Sequence, residues 1–328
     1  IVSTLESVIR RDPNHLGAIH YYIHAVEASN NPDRTLSAAD RLARLAPGAG
    51  HIVHMPAHIY IRTGDYDAAV QTNQKAAEVD RTYIKQTGAQ GIYPMMYYSH
   101  NLHFVAMCGA MNGRYADARK NADLLVANVG PHVKEMPPLE GFMTIPVAVE
   151  IRFHHWNELL KISAPDPAMK TASVFWHFGR GLALAGTGKL SEAEAEYKIV
   201  SEAEAATPPD VIFQMPINNK SKDILKIAED VLGAKIAIAK KDNSGAVSML
   251  RDAVAMNGQT ANGIVFATDA VGYSNPIAQA VSFSQKRLGQ NVPVPEMEMI
   301  AANRDRVFAK EKGVDRFWFA IMDEQFVD

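Results

Sequence analysis

Seven of the chain's twelve histidines fall in three short stretches: "HYYIH" at 20–24, "HIVHMPAHIY" at 51–60 and "SHNLHF" at 99–104. Imidazole ligates borderline transition metals and exchanges its proton near neutral pH, so such crowding points to metal ligation or proton transfer. His20 and His24 are spaced i, i+4; His51, His54 and His58 are spaced i, i+3, i+7; His100 and His103 are spaced i, i+3. On a helix each set shares one face. Glu27 follows His24 by three residues, and Glu140 lies in "PPLEGF". Either carboxylate could complete a coordination sphere or serve as a base toward a metal-bound water.

These residue types suggest a divalent transition metal, zinc, copper or iron, held by some of His20, His24, His54, His58 and His103. Glu27 and Glu140 are the candidate catalytic carboxylates. His51, His100, Tyr21 and Tyr97 are then expected to line the same surface and contact a ligand. A second reading stays open at this point: the rings hydrogen-bond one another and stack on Tyr21, Tyr22, Tyr97 and Tyr98 without any metal. The other histidines carry less signal. His15, His132, His154 and His155 read as surface residues, and His177 as core or lining.

The elements that must position these side chains are helices. Segments such as "TLSAADRLARLAP", "YDAAVQTNQKAAEVD", "YADARKNADLLVANV" and "LSEAEAEYKIVSEAEAA" carry Ala or Leu at 3–4 spacing with charges between. Short turns, "NNPDR", "RTGD", "MNGR", "GTGK" and "KKDN", separate them from preceding apolar helices, which makes a run of helical hairpins. Tyr66-Asp67-Ala68-Ala69, Tyr115-Ala116-Asp117-Ala118 and Leu190-Ser191-Glu192-Ala193 align, each two residues after Gly64, Gly113 or Gly188. This pattern resembles the tetratricopeptide repeat. The clearest copy is 174–207, with Gly181, Leu184, Gly188, Leu190, Ala193 and Tyr197 at its small or apolar positions. Weaker copies start near 20, 50, 99, 140 and 227, with a divergent hairpin after 275.

The resemblance implies an all-α fold, a right-handed superhelical solenoid of antiparallel helix pairs spanning 1–328, with clear repeats over 1–207 and divergent ones over 208–328. It also implies that first helices line a concave groove, with His24, His51, His54, His58, His100 and His103 facing into it and His20 beside them. Pro56 either kinks the histidine helix or begins it, leaving 51–55 as a capping turn. Irregular segments at 84–94, 130–138 and 257–276 interrupt the periodicity, and "QNVPVPEMEM" is expected to connect two final helices.

The stretches "HYYIHAVE" and "APGAGHIVHMPAHI" resemble the motifs of a group of bacterial tetratricopeptide proteins. That resemblance implies that His20, His24, Glu27, His51, His54 and His58 belong to the group's own signature. Such proteins are described mainly as repeat-containing, and many are exported behind a further N-terminal segment. "IVSTLESVIRRDP" reads as the second half of a hairpin, which suggests a longer precursor whose targeting segment directs the protein to the periplasm or outside the cell.

Composition narrows the functions. A net charge of −3 and a pI near 6.5 disfavour nucleic acid as a partner. No apolar run reaches the length of a membrane span. Cys108 is the single cysteine, so no internal disulfide or thiolate metal site forms, and its apolar surroundings place it in the core. No Ser-His-Asp pattern, phosphate loop or nucleotide fingerprint is present. Two functions remain: an interaction scaffold binding a peptide, a protein partner or further copies of itself, or a metal-binding protein or metal-dependent hydrolase. Carboxylate clamping by Lys and Arg is disfavoured, because those groove positions hold His and apolar residues.

Overall fold

A computed structural model describes residues 1–257 apart from 28, 30 and 212–219, together with 264–268 and 317–321. The expected hairpin after 275, "QNVPVPEMEM" and most of 257–276 lie outside the described residues. These residues form two compact units, one covering 1–128 and the other beginning at 129. The first of these units ends at 128, within the 1–207 stretch of clear repeats.

In the first unit, α1 (Val2–Arg11), α2 (Leu16–Glu27) and α3 (Leu36–Leu45) are followed by α4 (Gly50–His54) and α5 (Pro56–Thr63). Then come α6 (Tyr66–Thr87), α7 (Ser99–Met111) and α8 (Tyr115–Val129), whose last residue opens the second unit. The second unit contains α9 (Ile145–Arg152), α10 (Trp156–Leu159), α11 (Lys170–Gly186), α12 (Leu190–Ala206), α13 (Ser221–Ala239) and α14 (Asn243–Asn257). Among the described residues the fold is all-α but for one antiparallel pair, β1 (Ile264–Thr268) with β2 (Phe317–Ile321).

One turn recurs at five hairpins. The amides of Asp65, Arg114, His155, Lys189 and Asp242 donate to the carbonyls five residues back, at Tyr60, Gly109, Glu150, Leu184 and Ala237. The residue before each donor is left-handed: Gly64, Gly113 and Gly188, but also His154 (φ 53°) and Lys241 (φ 66°). This is the bond pattern by which a helix closes its last carbonyls on a left-handed residue. Five positions after those residues stand Ala69, Ala118, Leu159, Ala193 and Ala246, all buried. The three glycine turns were legible as sequence; His154 and Lys241 repeat the geometry without the glycine.

Three local features shape the first unit around its histidines. Pro56 has no amide hydrogen to continue the helix, so the "HIVHMPAHIY" stretch breaks into α4 and α5 with Met55 between them. Residues 50–54 stay helical, which favours the kink over the capping turn. Before α7, Tyr93–Tyr98 adopt the wider π conformation, and Asn128 Nδ2 donates to Pro94 O and Ser99 Oγ, each at 2.9 Å. Gly50 opens α4 hard against α6: a Cβ there would lie 1.8 Å from Asp80 Oδ1. Asp80, fully buried, accepts from Tyr93 Oη and Asn101 Nδ2, both at 2.7 Å. It thereby fixes α4, the π turn and α7 to one point on α6.

Helix α2 carries two stripes. Ile19, Tyr22, Ile23 and Val26 pack with Ala38, Ala39, Leu42, Met55 and Ile59 in an apolar core. His20, His24 and Glu27 form the other stripe, at i, i+4, i+7.

Candidate metal centre

Three buried rings converge from α4, α5 and α7. His54 Nε2 lies 2.8 Å from His58 Nε2 and 3.1 Å from His100 Nε2. All three side chains are 0–1% exposed, and each offers a ligand atom within 4.8 Å of the others. Nitrogens bound about 2.0–2.1 Å from one ion stand about 2.9 Å apart at a right angle and about 3.4 Å apart at the tetrahedral angle. The observed spacings are close to the right-angle value. Phe104 closes the apolar side, its ring centroid 4.7, 5.2 and 4.6 Å from those of His54, His58 and His100.

The proton positions follow from what holds the far edge of each ring. Asn73 Nδ2 donates to Ala69 O at 2.9 Å, so its Oδ1 faces His54 Nδ1 at 2.7 Å and must accept. His54 Nδ1 therefore carries the hydrogen. Burial, reinforced by the rings of His100, His58 and His51, pushes the His54 pKa well below its ordinary value. The ring is neutral and its Nε2 is a bare lone pair.

His58 faces Glu27 as an ion pair rather than through an aligned hydrogen bond. Glu27 is fully buried; Oε1 lies 2.8 Å from His24 Nδ1 and Oε2 lies 2.7 Å from His58 Nδ1. Burial alone would raise its pKa, but the His58 charge and the N–H groups of His24 and His58 reverse that and hold it at about 2. An ionised carboxylate at 2.7 Å requires a proton on His58 Nδ1. A protonated His58 donates Nε2–H to His54 Nε2 across the 2.8 Å gap, whereas in a neutral His58 with the proton on Nδ1 the Nε2 is a second lone pair facing that of His54. Two lone pairs at this separation repel, so the contact is favourable only with positive charge between them, supplied by a proton or a metal ion. A carboxylate behind a metal-ligating imidazole is the usual device for fixing its tautomer.

A second group stands beside the first. His20 Nε2 and His51 Nε2 are 3.1 Å apart, and His20, His24 and His51 form another potential ligand set. All three are partly exposed. The groups adjoin through His24 and His58, with ring centroids 5.1 Å apart, and through His51 and His54, at 6.0 Å. Burial, with the neighbouring rings of His20 and His100, pushes His51 down to about 3.

The structure thus brings together His20, His24, His51, His54, His58 and His100. His51 and His100, expected as lining, stand among the potential ligands. His103 does not: it is buried but joins none of the potential ligand sets among the described residues, lying about 4.5 Å further along α7 by helical rise. Glu27 has both oxygens against ring nitrogens, an orienting place in contrast to the base expected of it. Glu140 lies in the second unit, where its Oε1 accepts from the Ala172 amide at 2.9 Å at the start of α11. Tyr97 packs against His51 and Tyr21 against His20, with centroids 5.0 and 5.1 Å apart. The histidines expected to face an open groove are largely enclosed.

Asn73, Asp80 and Phe104 escaped the sequence reading. A signal for the first two was present: on α6 they share a helical stripe with Ala69, Ala76 and Ala77, a buried face on which a polar residue demands a partner.

No protein-family model matches the chain, and no curated protein matches it. Among solved structures, the chain is similar to the tetratricopeptide-repeat domain of P58(IPK), at 11% identity over 95% of this chain and 94% of that one, with a TM-score of 0.21. The hairpins themselves, with their shared turn and the buried residue five positions on, make this a tetratricopeptide-like helical-repeat fold.

Proposed function

We propose that this helical-repeat protein binds a divalent transition-metal ion through His54, His58 and His100, with Glu27 and Asn73 orienting the rings. The observation that carries the reading is the 2.8 Å approach of His54 Nε2 and His58 Nε2 while both Nδ1 atoms face acceptors. An all-imidazole donor set suits zinc, copper or iron. The enclosure of the three rings favours a held ion over hydrolysis, which needs an open coordination position and a free base. Glu27 has no oxygen to spare for that task.

The ligands come from consecutive hairpins. An ion here would cross-link the break at Pro56 to α7 and stiffen the array, which supports a companion role as a platform for a protein or peptide partner.

The test is elemental analysis of untagged protein, followed by zinc uptake into stripped protein under equilibrium dialysis. One tightly held equivalent is expected, lost in His54→Ala with helix content by circular dichroism retained. Equal metal content in His54→Ala and the parent protein would exclude His54 as a ligand.

A further inference from the structure

We infer that His20, His24 and His51 hold a second, more readily exchanged transition-metal ion, so that Glu27 stands behind two adjacent metal positions at once. The inference rests on the reading of His54, His58 and His100 as the first site. Its geometry is separate: the 3.1 Å approach of His20 Nε2 and His51 Nε2 falls in the range of neighbouring ligands on one ion. His24 completes the set. Its Nδ1 is held 2.8 Å from Glu27 Oε1, which commits the proton to that edge and leaves Nε2 as the donor.

Glu27 links the two sets. Oε1 orients His24 of the outer set, and Oε2 orients His58 of the inner one. A single carboxylate thereby fixes one ligand tautomer at each position, and its charge offsets part of the repulsion between two cations. The sets differ in access. The inner rings are 0–1% exposed, whereas His20, His24 and His51 are all partly exposed, with the His24 side chain at 15%. Partial exposure of the three imidazoles leaves a path for a water or a small anion to complete the coordination, as in open metal sites. The outer ion should therefore exchange faster and bind more weakly, its neighbour's charge adding to the difference.

The experiment uses metal-stripped full chain with Zn²⁺ and Co²⁺ as probes. Stoichiometry is read by equilibrium dialysis, relative affinity by competition with a chromogenic chelator, and site identity by the visible absorption of Co²⁺. Two equivalents are expected, the second at least about tenfold weaker and removed first by chelator. His20→Gln and His51→Gln should each retain one equivalent with the inner Co²⁺ spectrum unchanged, and helix content should stay constant. One equivalent in the parent protein, lost in His100→Gln and indifferent to His20→Gln and His51→Gln, would overturn this inference and leave the inner site standing. One equivalent lost in His20→Gln but kept in His100→Gln would overturn the inner site instead. No uptake by the parent protein would overturn both.

Discussion

Acidifying the metal-free protein from about pH 7.5 to about pH 5.5 should remove about 3 kcal/mol of folding stability through two histidines alone. His51 is pushed down to about 3 and His54 well below 6.5, in each case first by burial and then by neighbouring rings. Both are neutral in the folded protein across this range, and both regain the ordinary value of 6.5 on unfolding. The sign follows directly. A base whose folded pKa is depressed leaves the proton to the unfolded chain, so stability falls as pH drops through 6.5. At pH 5.5 each unfolded imidazole gains RT ln(1 + 10), about 1.4 kcal/mol. Partial exposure of His51 makes its share an upper figure. Glu27, held at about 2 against an ordinary 4.5, is ionised in both states here; its contribution is lost only below pH 4.5. Urea unfolding in the presence of a chelator, followed by circular dichroism at both pH values, measures the change as a shift in midpoint at constant slope. Saturating zinc at about 100 times its dissociation constant should add about 2.7 kcal/mol at the higher pH. The gain should shrink at the lower pH, because protons compete for the same nitrogens. Identical midpoints at the two pH values in metal-free protein would refute the claim that these rings are held neutral.

Glu27→Gln should weaken metal binding by about 10–100-fold, measured by chelator competition. A carboxamide can accept from only one of the two ring N–H groups, and its own N–H₂ forces the other histidine into the tautomer that blocks Nε2. Gly50→Ala should destabilise the first unit by about 1–3 kcal/mol, because the new methyl meets the Asp80 carboxylate; an unchanged urea midpoint would argue against so close an approach. Lys241→Gly should stabilise the second unit by about 0.5–1 kcal/mol, read as a higher thermal midpoint, because that exposed lysine occupies a left-handed turn filled by glycine in three of the other hairpins.

The hairpins were legible because their information is local. A glycine before an aromatic or Leu and a small residue five positions on specify turn and helix contact together, as Gly64, Gly113 and Gly188 show. His154 and Lys241 adopt the same turn without the glycine, so the fourth and fifth copies were recognisable only from neighbouring residues. At the candidate site, the i, i+3, i+4 and i+7 spacings picked out the segments whose rings the fold brings together. They could not say which rings would meet, since ring orientation depends on partners from other helices: Asn73 on α6 for His54, and Glu27 on α2 for His58. His100 and His103 were equivalent in sequence. The orientation of α7, set through Asn101 by Asp80, turns His100 toward His54.

The histidine cluster is a costly way to fill this part of the first unit. Six imidazoles in contact bury polar edges that leucine or phenylalanine would fill without desolvation cost. The apolar core on the other stripe of α2 shows that this helix packs conventionally where nothing else is required of it. Around the histidines, Glu27, Asn73 and Asp80 add three further buried polar groups, two of which hold ring nitrogens in the protonation state that aims lone pairs inward. Placing an anion behind Nδ1 of His58 and an amide oxygen behind Nδ1 of His54 commits both Nδ1 protons and leaves His54 Nε2 as an acceptor, for the Nε2–H of a protonated His58 or for a metal ion. The hairpin stack is the device that delivers these rings from distant parts of the chain to one place.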